Sequence, residues 1–479
     1  MERSSRRGRR GLASLVLSSI ATLVSGAWLV ACLDQQGSLP PGQSPSSSSS
    51  SSSTSGSGGG MGGAGGMGGA GGVAVGGMGG VGGMGGVGGM GGAGGMGGAG
   101  GMGGGPVVLE EWTATEPPAP DLPMYVLPID WLKIECPTSD RTSQVGPHSL
   151  KRGYLANAAR PRNVGSGWGL SVESARKNKI RNSDSWSGMG WSTPGTPGVA
   201  MMATPLQQDP AGGLSATRFD STGSQQSNYA TVPSGYASAW LRGQGAAGPF
   251  AYLVTEPGNA DWKVDVVDDA MNWKRYEVGV DDGYFLLETR GDADGDPMAI
   301  ATPTTVLAYG AQHETKADNK AVKYPSSYIP TLDMERTREA DVLSIIAPTD
   351  VAPDGFFHVK IRFAPNYATG ENFENEHDLL FINADNRIFF RFSDNKIVFK
   401  IEKDDLVSAS LTWIREQPID VEAIHAPSGR KLIVSGGGGS FSGPALAPVP
   451  TNNPFYLLGR SAGAQECADL RAIMFYQPN

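Results

Sequence analysis

The stretch FHVKIRF, Phe357–Phe363, alternates strictly between apolar and polar side chains. Successive side chains of an extended chain point to opposite faces, so its four apolar residues share one face. His358, Lys360 and Arg362 share the other face. This pattern is typical of a strand in an antiparallel sheet that has one side on a core and one side toward water. The stretch therefore predicts a half-buried strand.

The same type of signal recurs along the ordered part of the chain. Arg387–Phe392 and Lys396–Glu402 flank the turn Ser393-Asp394-Asn395 and predict a hairpin. From Ile129 onward, short β-type runs are separated by Gly, Pro, Asn and Ser, and helical periodicity is nearly absent. The predicted fold class is all-β, with two antiparallel β-sandwich (jelly-roll) domains that follow a disordered Gly/Ser/Met-rich linker.

The first of these regions resembles a segment found in many bacteriophage tail and tail-fibre proteins. GLSVESARKNKIRNSDSWSGMGW (Gly169–Trp191) is similar to the family's leading segment. WKRYEV (Trp273–Val278), YGAQHE (Tyr309–Glu314) and SYIPTLDMERTREAD (Ser327–Asp341) follow in the family's order. Tyr309 and His313 replace the family's tryptophan and leucine. The resemblance implies a galactose-binding-like sandwich, related to carbohydrate-binding modules.

The second region ends with ADLRAIMFY (Ala468–Tyr476). Together with the alternation at Phe357–Phe363, it resembles a concanavalin A-like lectin/glucanase (laminin-G-like) jelly roll. The same jelly roll often follows the SYIPT segment in phage proteins, so the two resemblances support each other.

The N-terminus has the layout of an export signal, with five arginines before an apolar run from Leu12 to Val30. Leu29-Val30-Ala31-Cys32 resembles the lipobox of bacterial lipoproteins, which implies that Cys32 is diacylated and anchors the chain. Leu33 favours sorting to the outer membrane or cell surface by analogy with known lipoproteins. An ordinary signal or a single membrane span is the alternative. The predicted divisions are 1–31 signal peptide, 32–106 lipid-anchored disordered linker, 107–165 extended lead-in and first strands, 166–340 first sandwich, and 341–479 second sandwich.

Charge and cysteine content limit the partners. The formal charge is −9, and removal of the signal peptide makes it about −13. Such an acidic chain lacks the basic footprint of a nucleic-acid-binding protein.

Beyond Cys32 there are two cysteines, Cys136 and Cys467. In an exported protein they can pair, or each can be a buried small hydrophobe; the disulfide is slightly favoured.

Two patterns raise the question of catalysis. Gly243, Gly245 and Gly248 spell GxGxxG, but Pro249 and an apolar strand follow instead of a helix, so a hairpin turn is predicted. Glu374-x-Glu376-x-Asp378 departs in order from the E-x-D-x-E strand of retaining glucanases, and a solvated acidic loop is favoured. The sequence contains no HExxH, GxSxG or Gly-Lys-Ser/Thr motif. A non-catalytic protein is predicted, with no cofactor except calcium.

Calcium is suggested by Asp292, Asp294 and Asp296 in GDADGDP, which has the oxygen-rich start of a calcium loop. Pro303 stands where an EF-hand needs a glutamate, so the candidates are a cation site in a sandwich loop or an exposed turn.

Exposed aromatic side chains are the usual stacking partners of sugar rings. We take five as candidate ligand-binding residues, against the alternative that they belong to the core: Tyr236, Trp240, Tyr252, Trp262 and Trp413. The leading hypothesis is a surface-displayed, lipid-anchored, non-catalytic protein that binds carbohydrate or another surface polymer. The alternatives are a structural or protein-interaction module of a surface assembly and a glucanase-type glycoside hydrolase.

Overall fold

The computed structural model describes residues 107–115, 127, 129–139, 141–193, 200–222, 225–244, 250–254, 262–266, 271–280, 283–289, 304–372 and 374–478. Within these ranges only the backbone is described for residues 225–226, 250–254, 262–266, 280, 288–289 and 304. The predicted signal peptide and linker lie outside the described residues. No helix in the described ranges has the length and apolar character needed to cross a membrane.

The described chain is nearly all β, as predicted. The first six strands are β1 (Val108–Thr113), β2 (Leu132–Glu135), β3 (Arg141–Gly146), β4 (Ser149–Tyr154), β5 (Pro161–Asn163) and β6 (Trp168–Val172). The next twelve are β7 (Arg176–Asn178), β8 (Met202–Gln207), β9 (Ala216–Ser221), β10 (Gln225–Gln226), β11 (Ala230–Val232), β12 (Gly235–Gln244), β13 (Phe250–Val254), β14 (Trp262–Val266), β15 (Lys274–Val280), β16 (Gly283–Thr289), β17 (Thr304–Lys316) and β18 (Arg336–Arg338).

The last eleven strands are β19 (Val342–Ile345), β20 (Phe357–Pro365), β21 (Glu376–Asn383), β22 (Asn386–Arg391), β23 (Lys396–Ile401), β24 (Asp404–Val407), β25 (Ile419–Ala426), β26 (Gly429–Val434), β27 (Gly439–Gly443), β28 (Phe455–Leu457) and β29 (Ala468–Tyr476). A short helix, α1 (Pro348–Val351), and a 3-10 turn (Pro353–Gly355) lie between β19 and β20.

One sandwich, which we call the host sandwich, is built from both ends of the described chain. Its eight-stranded sheet has the order β27-β26-β25-β20-β29-β6-β5, and β1 also pairs with β29. Its seven-stranded sheet has the order β2-β19-β28-β21-β22-β23-β24. Apolar side chains from both sheets, such as Val359 and Phe399, pack into one core.

The other sandwich, which we call the inserted sandwich, is formed by β7–β18 between host strands β6 and β19. A seven-stranded sheet, β15-β12-β17-β7-β18 with β9 and β8 beyond β17, faces the five strands β10, β11, β13, β14 and β16. Phe219, Leu241 and Phe285 belong to the core between them. The hairpin β3–β4 packs on the outer face of the seven-stranded sheet, where Leu150 meets Trp240 and Trp273.

This topology corrects the predicted domain boundaries. Residues 107–165 were expected to lead into the first sandwich, but β1 pairs with β29, β2 pairs with β19, and β5 pairs with β6 in the host sandwich. β6, placed by prediction in the first sandwich, pairs with β29. Hydrogen-bonding partners more than 200 residues apart leave no mark in local alternation, so sequence order was a poor guide to strand membership.

The chain leaves the host sandwich at Glu173 and re-enters it at Asp341. These two residues contact each other in space, and we call this pair the neck. The Asp341 backbone N–H donates to the Glu173 carbonyl over 2.9 Å, and the Glu173 N–H donates to Asp341 Oδ2 over 2.9 Å. Three buried arginines surround the two carboxylates. Arg160 lies 2.5 Å from Glu173 and 2.5 Å from Asp341, Arg338 lies 2.9 Å from Glu173, and Arg141 lies 3.1 Å from Asp341.

Burial alone would raise the pKa of the Glu173 carboxyl, but Arg160 and Arg338 outweigh it and hold that pKa well below its usual range. Ser327 donates from both its N–H and its hydroxyl to the same carboxylate, each over 2.8 Å. Residues of the segments Gly169–Trp191 and Ser327–Asp341 thus meet at the neck, where they hold the two sandwiches together.

Candidate binding site

The polar face predicted for Phe357–Phe363 forms part of the outer surface of the eight-stranded sheet. Val359 and Ile361 of β20 are buried in the host core, whereas Lys360 and Arg362 point away from it. β25 pairs with β20 so that Glu422 lies opposite Lys360 and Asp420 lies opposite Arg362. The charged atoms are 3.5 Å apart in the first pair and 3.7 Å apart in the second. Each cation on β20 therefore faces an anion on β25.

A cavity of about 680 Å³ lies on this outer face, and we call it the outer groove. Its volume falls within the range of about 300–1,000 Å³ that is usual for small-molecule sites. Both charged pairs line it, together with the half-buried Trp168 and the buried Arg471. The apolar parts of the lining include Ile433 and Met474. The groove thus combines aromatic and aliphatic surface with closely spaced donors and acceptors.

Arg471 occupies an irregular position in β29, because the register with β20 shifts between Arg362 and Phe363. Its guanidinium donates to the Gly167 carbonyl and, over 3.0 Å, to Ser166 Oγ. Within the described part of the chain, its buried Nε–H has no hydrogen-bond partner. A Cβ at residue 169 would lie 2.8 Å from Asp469 Cβ and 3.1 Å from Arg471 Nε, so this close approach of β6 to β29 requires glycine.

Two of the five predicted sugar-stacking residues are buried. Trp240 is 1% exposed and Trp413 is 3% exposed. Alternation in β12 does place Trp240 outside the inserted core, but the hairpin β3–β4 covers that face. Trp413 packs against Phe390 at 4.5 Å between ring centroids and donates from Nε1 to the Tyr367 carbonyl. The prediction is wrong for both, because neither ring face is open to a ligand.

Tyr236 is half-buried, and both its hydroxyl and its ring contact an arginine. Its hydroxyl accepts a hydrogen bond from Arg415 over 2.9 Å, and the Arg415 guanidinium also lies over its ring. Arg415 further pairs with Glu277 at 2.7 Å and with Glu371 at 2.7 Å. Because Tyr236 and Glu277 belong to the inserted sandwich and Arg415 and Glu371 to the host, this cluster ties the two together.

The remaining ligand candidates fall on parts that are only partly described. The backbone places Tyr252 in β13 and Trp262 in β14, which pair with each other, and their side chains lie outside the described atoms. Asp292, Asp294 and Asp296 lie outside the described residues, as does Cys32. Among the residues that are described, no group of three or more His, Cys, Asp or Glu side chains is arranged to hold a metal ion.

The three carboxylates considered for glucanase chemistry are held by cations. Glu376 and Asp378 of β21 both pair with Arg387, at 2.6 and 3.1 Å, and both contact Arg460. Glu374 pairs with Lys316 at 2.5 Å. Burial raises the pKa of Asp378, and the two arginines partly offset that effect. Glu374 and Glu376 show the contacts of structural ion pairs. Glu376 and Asp378 lie on β21, in the sheet opposite the outer groove.

Cys136 and Cys467 are both buried free thiols. Cys136 Sγ contacts the Glu339 carbonyl at 3.8 Å, while Cys467 Sγ lies 3.5 Å from Ser174 Oγ. The alternative of two separate buried thiols is therefore the one observed, and the predicted disulfide is not formed. Cys136 directly follows β2 and Cys467 directly precedes β29, and packing accounts for both.

The alternation of Phe357–Phe363 predicts the polar face of β20 but not the groove. Lys360 and Arg362 were assigned to the outer face from alternation, and β25 contributes its acidic residues by the same rule. Trp168 and Arg471 come from strands separated by about 300 residues, and their proximity depends on the pairing of β6 with β29. That pairing has no local sequence signal.

Comparison with known proteins finds similarity only among solved structures, and at low sequence identity. No family model matches the sequence, and no curated protein matches it. Among solved structures, the fold is similar to domains LG4-5 of the mouse laminin alpha1 chain, with 11% identity over 63% of this chain and 89% of that chain and a TM-score of 0.19. It is also similar to a fructosyltransferase from A. japonicus, with 8% identity over 73% of this chain and 56% of that chain and a TM-score of 0.20. At these TM-scores, neither similarity carries an argument about function.

Proposed function

We propose that this chain is a lipid-anchored, surface-displayed binding protein that holds carbohydrate in the outer groove of the host sandwich. The observation that carries the proposal is the composition of the groove, in which Trp168 and aliphatic side chains lie beside two cross-strand ion pairs. Sugars present apolar ring faces and a rim of hydroxyls, so they need both kinds of surface within a few ångströms.

The anchoring part of the proposal rests on the resemblance of Leu29–Cys32 to a lipobox. Two or more acyl chains give stable membrane attachment, at about 0.8 kcal/mol for each buried methylene. Cys32→Ser is expected to move the full-length protein from the membrane fraction to the soluble fraction without changing its melting temperature. Retention of the variant in membranes would contradict lipid anchoring through Cys32.

A non-catalytic role is supported by the contacts of Glu374, Glu376 and Asp378, each of which is paired with a cation. A glucanase would need one carboxylate as a nucleophile and another as a proton donor, about 5 Å apart. Release of reducing sugar by the protein, abolished by Glu376→Gln, would overturn the non-catalytic assignment.

The binding test uses a glycan array with the detergent-solubilised full chain. Trp168→Ala is expected to weaken glycan binding about fivefold, because an aromatic contact is worth on the order of 1 kcal/mol. Tyr456→Ala is the matched control, since Tyr456 is a half-buried aromatic of β28 in the opposite sheet. Absence of binding to every glycan, with and without calcium, would refute the carbohydrate proposal.

A protein-interaction role is the second candidate, and the exposed strand β8 favours it. In the described chain β8 pairs with β9 alone, and its residues Met202 and Leu206 are 67% and 73% exposed. Exposed strand edges are templates for pairing with another chain. Recovery of a stoichiometric protein partner that is lost in Met202→Lys/Leu206→Lys, together with no glycan binding, would favour this alternative.

A further inference from the structure

The charged lining of the outer groove is arranged in facing pairs of opposite sign. Lys360 and Arg362 are adjacent outward positions of β20, and each stands opposite a carboxylate of β25. Glu422 also lies 2.7 Å from His358 Nε2, and the Lys360 ammonium lies over the Tyr476 ring. The side chains of Arg362 and Asp420 are 54% and 57% exposed, so this pair borders the solvent side of the groove.

The positive charge of the third cation, Arg471, is also offset by a nearby carboxylate. Its Nη2 lies 3.4 Å from Asp469 Oδ2, and Asp469 in turn pairs with Arg162 at 2.8 Å. Arg162 is bonded to Glu416 at 2.7 Å, which completes a second group with equal numbers of cations and anions. The Nε–H of Arg471 is the donor in this group that the described chain leaves unbonded. Arg471 therefore adds no excess positive charge to the groove.

This balance has a consequence for ligand choice. A carboxylate or sulfate in the groove would approach Asp420 and Glu422 as closely as it approaches Lys360 and Arg362, so attraction and repulsion oppose each other. A hydroxyl avoids this conflict because it donates to a carboxylate and accepts from a cation at the same time. A row of cationic donors on β20 that faces a row of carboxylate acceptors on β25 matches consecutive hydroxyls of a sugar chain.

We propose that the outer groove selects an uncharged polysaccharide and that the pairs Lys360–Glu422 and Arg362–Asp420 exclude acidic ones. This inference rests on the proposed carbohydrate-binding function and adds the ligand class to it. The two carboxylates of β25 are specificity determinants because they repel anionic sugars.

The test compares binding of the detergent-solubilised full chain to uncharged glucan and mannan and to polyuronate and sulfated polysaccharide at physiological salt. The wild type is expected to bind at least one uncharged polymer at least tenfold more tightly than either acidic polymer. Asp420→Asn/Glu422→Gln leaves two cations of the groove, Lys360 and Arg362, without their opposing carboxylates. It is expected to gain at least tenfold in affinity for the acidic polymers. That gain should fall steeply with added salt.

The matched control is Asp385→Asn/Glu402→Gln, which changes the net charge equally at exposed positions outside the groove lining. Melting curves verify that both double variants are folded. If the wild type binds acidic polymers as tightly as uncharged ones, or if both double variants gain equally, the selectivity proposal is overturned while carbohydrate binding stands. If the wild type binds no polymer of either class, the proposed function fails and the selectivity proposal fails with it.

Discussion

Replacement of Glu173 by glutamine tests how the neck holds the two sandwiches together. The carboxylate of Glu173 is buried, pairs with Arg160 and Arg338, and accepts two hydrogen bonds from Ser327. A glutamine fits the same space but carries an NH₂ group that must face either the arginine donors or the Ser327 donors. Removal of one partner from a buried ionic group typically costs about 3–5 kcal/mol, because a desolvated charge is left behind.

That cost converts into a measurable shift in melting temperature. The unfolding entropy is about 2.1 cal/mol/K per residue, so the roughly 370 residues from Val107 onward give about 0.8 kcal/mol/K if they unfold together. A loss of about 4 kcal/mol then lowers the melting temperature by about 5 °C. Differential scanning calorimetry of wild type and Glu173→Gln measures it, and also shows whether the single transition splits into two.

The matched control is Glu335→Gln. Glu335 also pairs with two cations, Lys177 at 2.9 Å and Lys179 at 2.8 Å, but its side chain is 30% exposed. Surface ion pairs are worth about 0–1 kcal/mol, so this variant should shift the melting temperature by no more than about 1 °C. Equal shifts in the two variants, or a shift below 1 °C for Glu173→Gln, would refute the view that the neck is a major source of stability.

Three further substitutions test other parts of the fold. Arg415→Met removes the guanidinium shared by the two sandwiches and should cost about 1–2 kcal/mol, with faster limited proteolysis between them; unchanged cleavage would argue against a tie at this point. Burial lowers the pKa of His377 to about 4, whereas an unfolded histidine titrates near 6.5. Between these values the unfolded chain binds the extra proton, so stability should fall by about 3 kcal/mol as the pH drops from 6.5 to 4. His377→Gln should flatten that dependence in urea titrations, and an unchanged pH dependence in this variant would contradict the assignment to His377. Gly169→Ala should destabilise the fold by about 1–3 kcal/mol, because its Cβ would overlap Asp469; a neutral effect would show that β6 can move away from β29.

Local patterns in the sequence predicted strands and faces well. Alternation correctly placed Lys360 and Arg362 outside the host core. Trp240 was named as a candidate for its aromatic ring alone, and it does lie outside the inserted core. The inference from Trp240 to a sugar site failed because a hairpin from residues 141–154 covers that face. Alternation shows which way a side chain leaves its own strand, and only the tertiary packing decides what it meets there.

The pairing of strands within each sheet could not be predicted from the sequence. Backbone hydrogen bonds are chemically identical in every ladder, so nothing in β1 or β2 specifies β29 or β19 as a partner. The outer groove depends on one such long-range pairing, between β6 and β29, and so it was missing from the predicted site. Glu173 and Asp341 belonged to recognised segments, but their meeting at the neck required the insertion to be known.

The pairing of β1 with β29 also determines how mechanical load would travel through the protein. Thr113 and Ala114, at the end of β1, border the outer groove, and β1 is hydrogen-bonded along β29, the strand that carries Arg471. Tension on the chain before Val107 therefore enters the fold at the start of β1 and passes along β1 to β29, the strand that bears the buried cation of the groove. The inserted sandwich lies outside this force path. If a ligand held in the groove and the predicted linker pulled against each other, the eight-stranded sheet would bear the load. The inserted sandwich would remain free of strain.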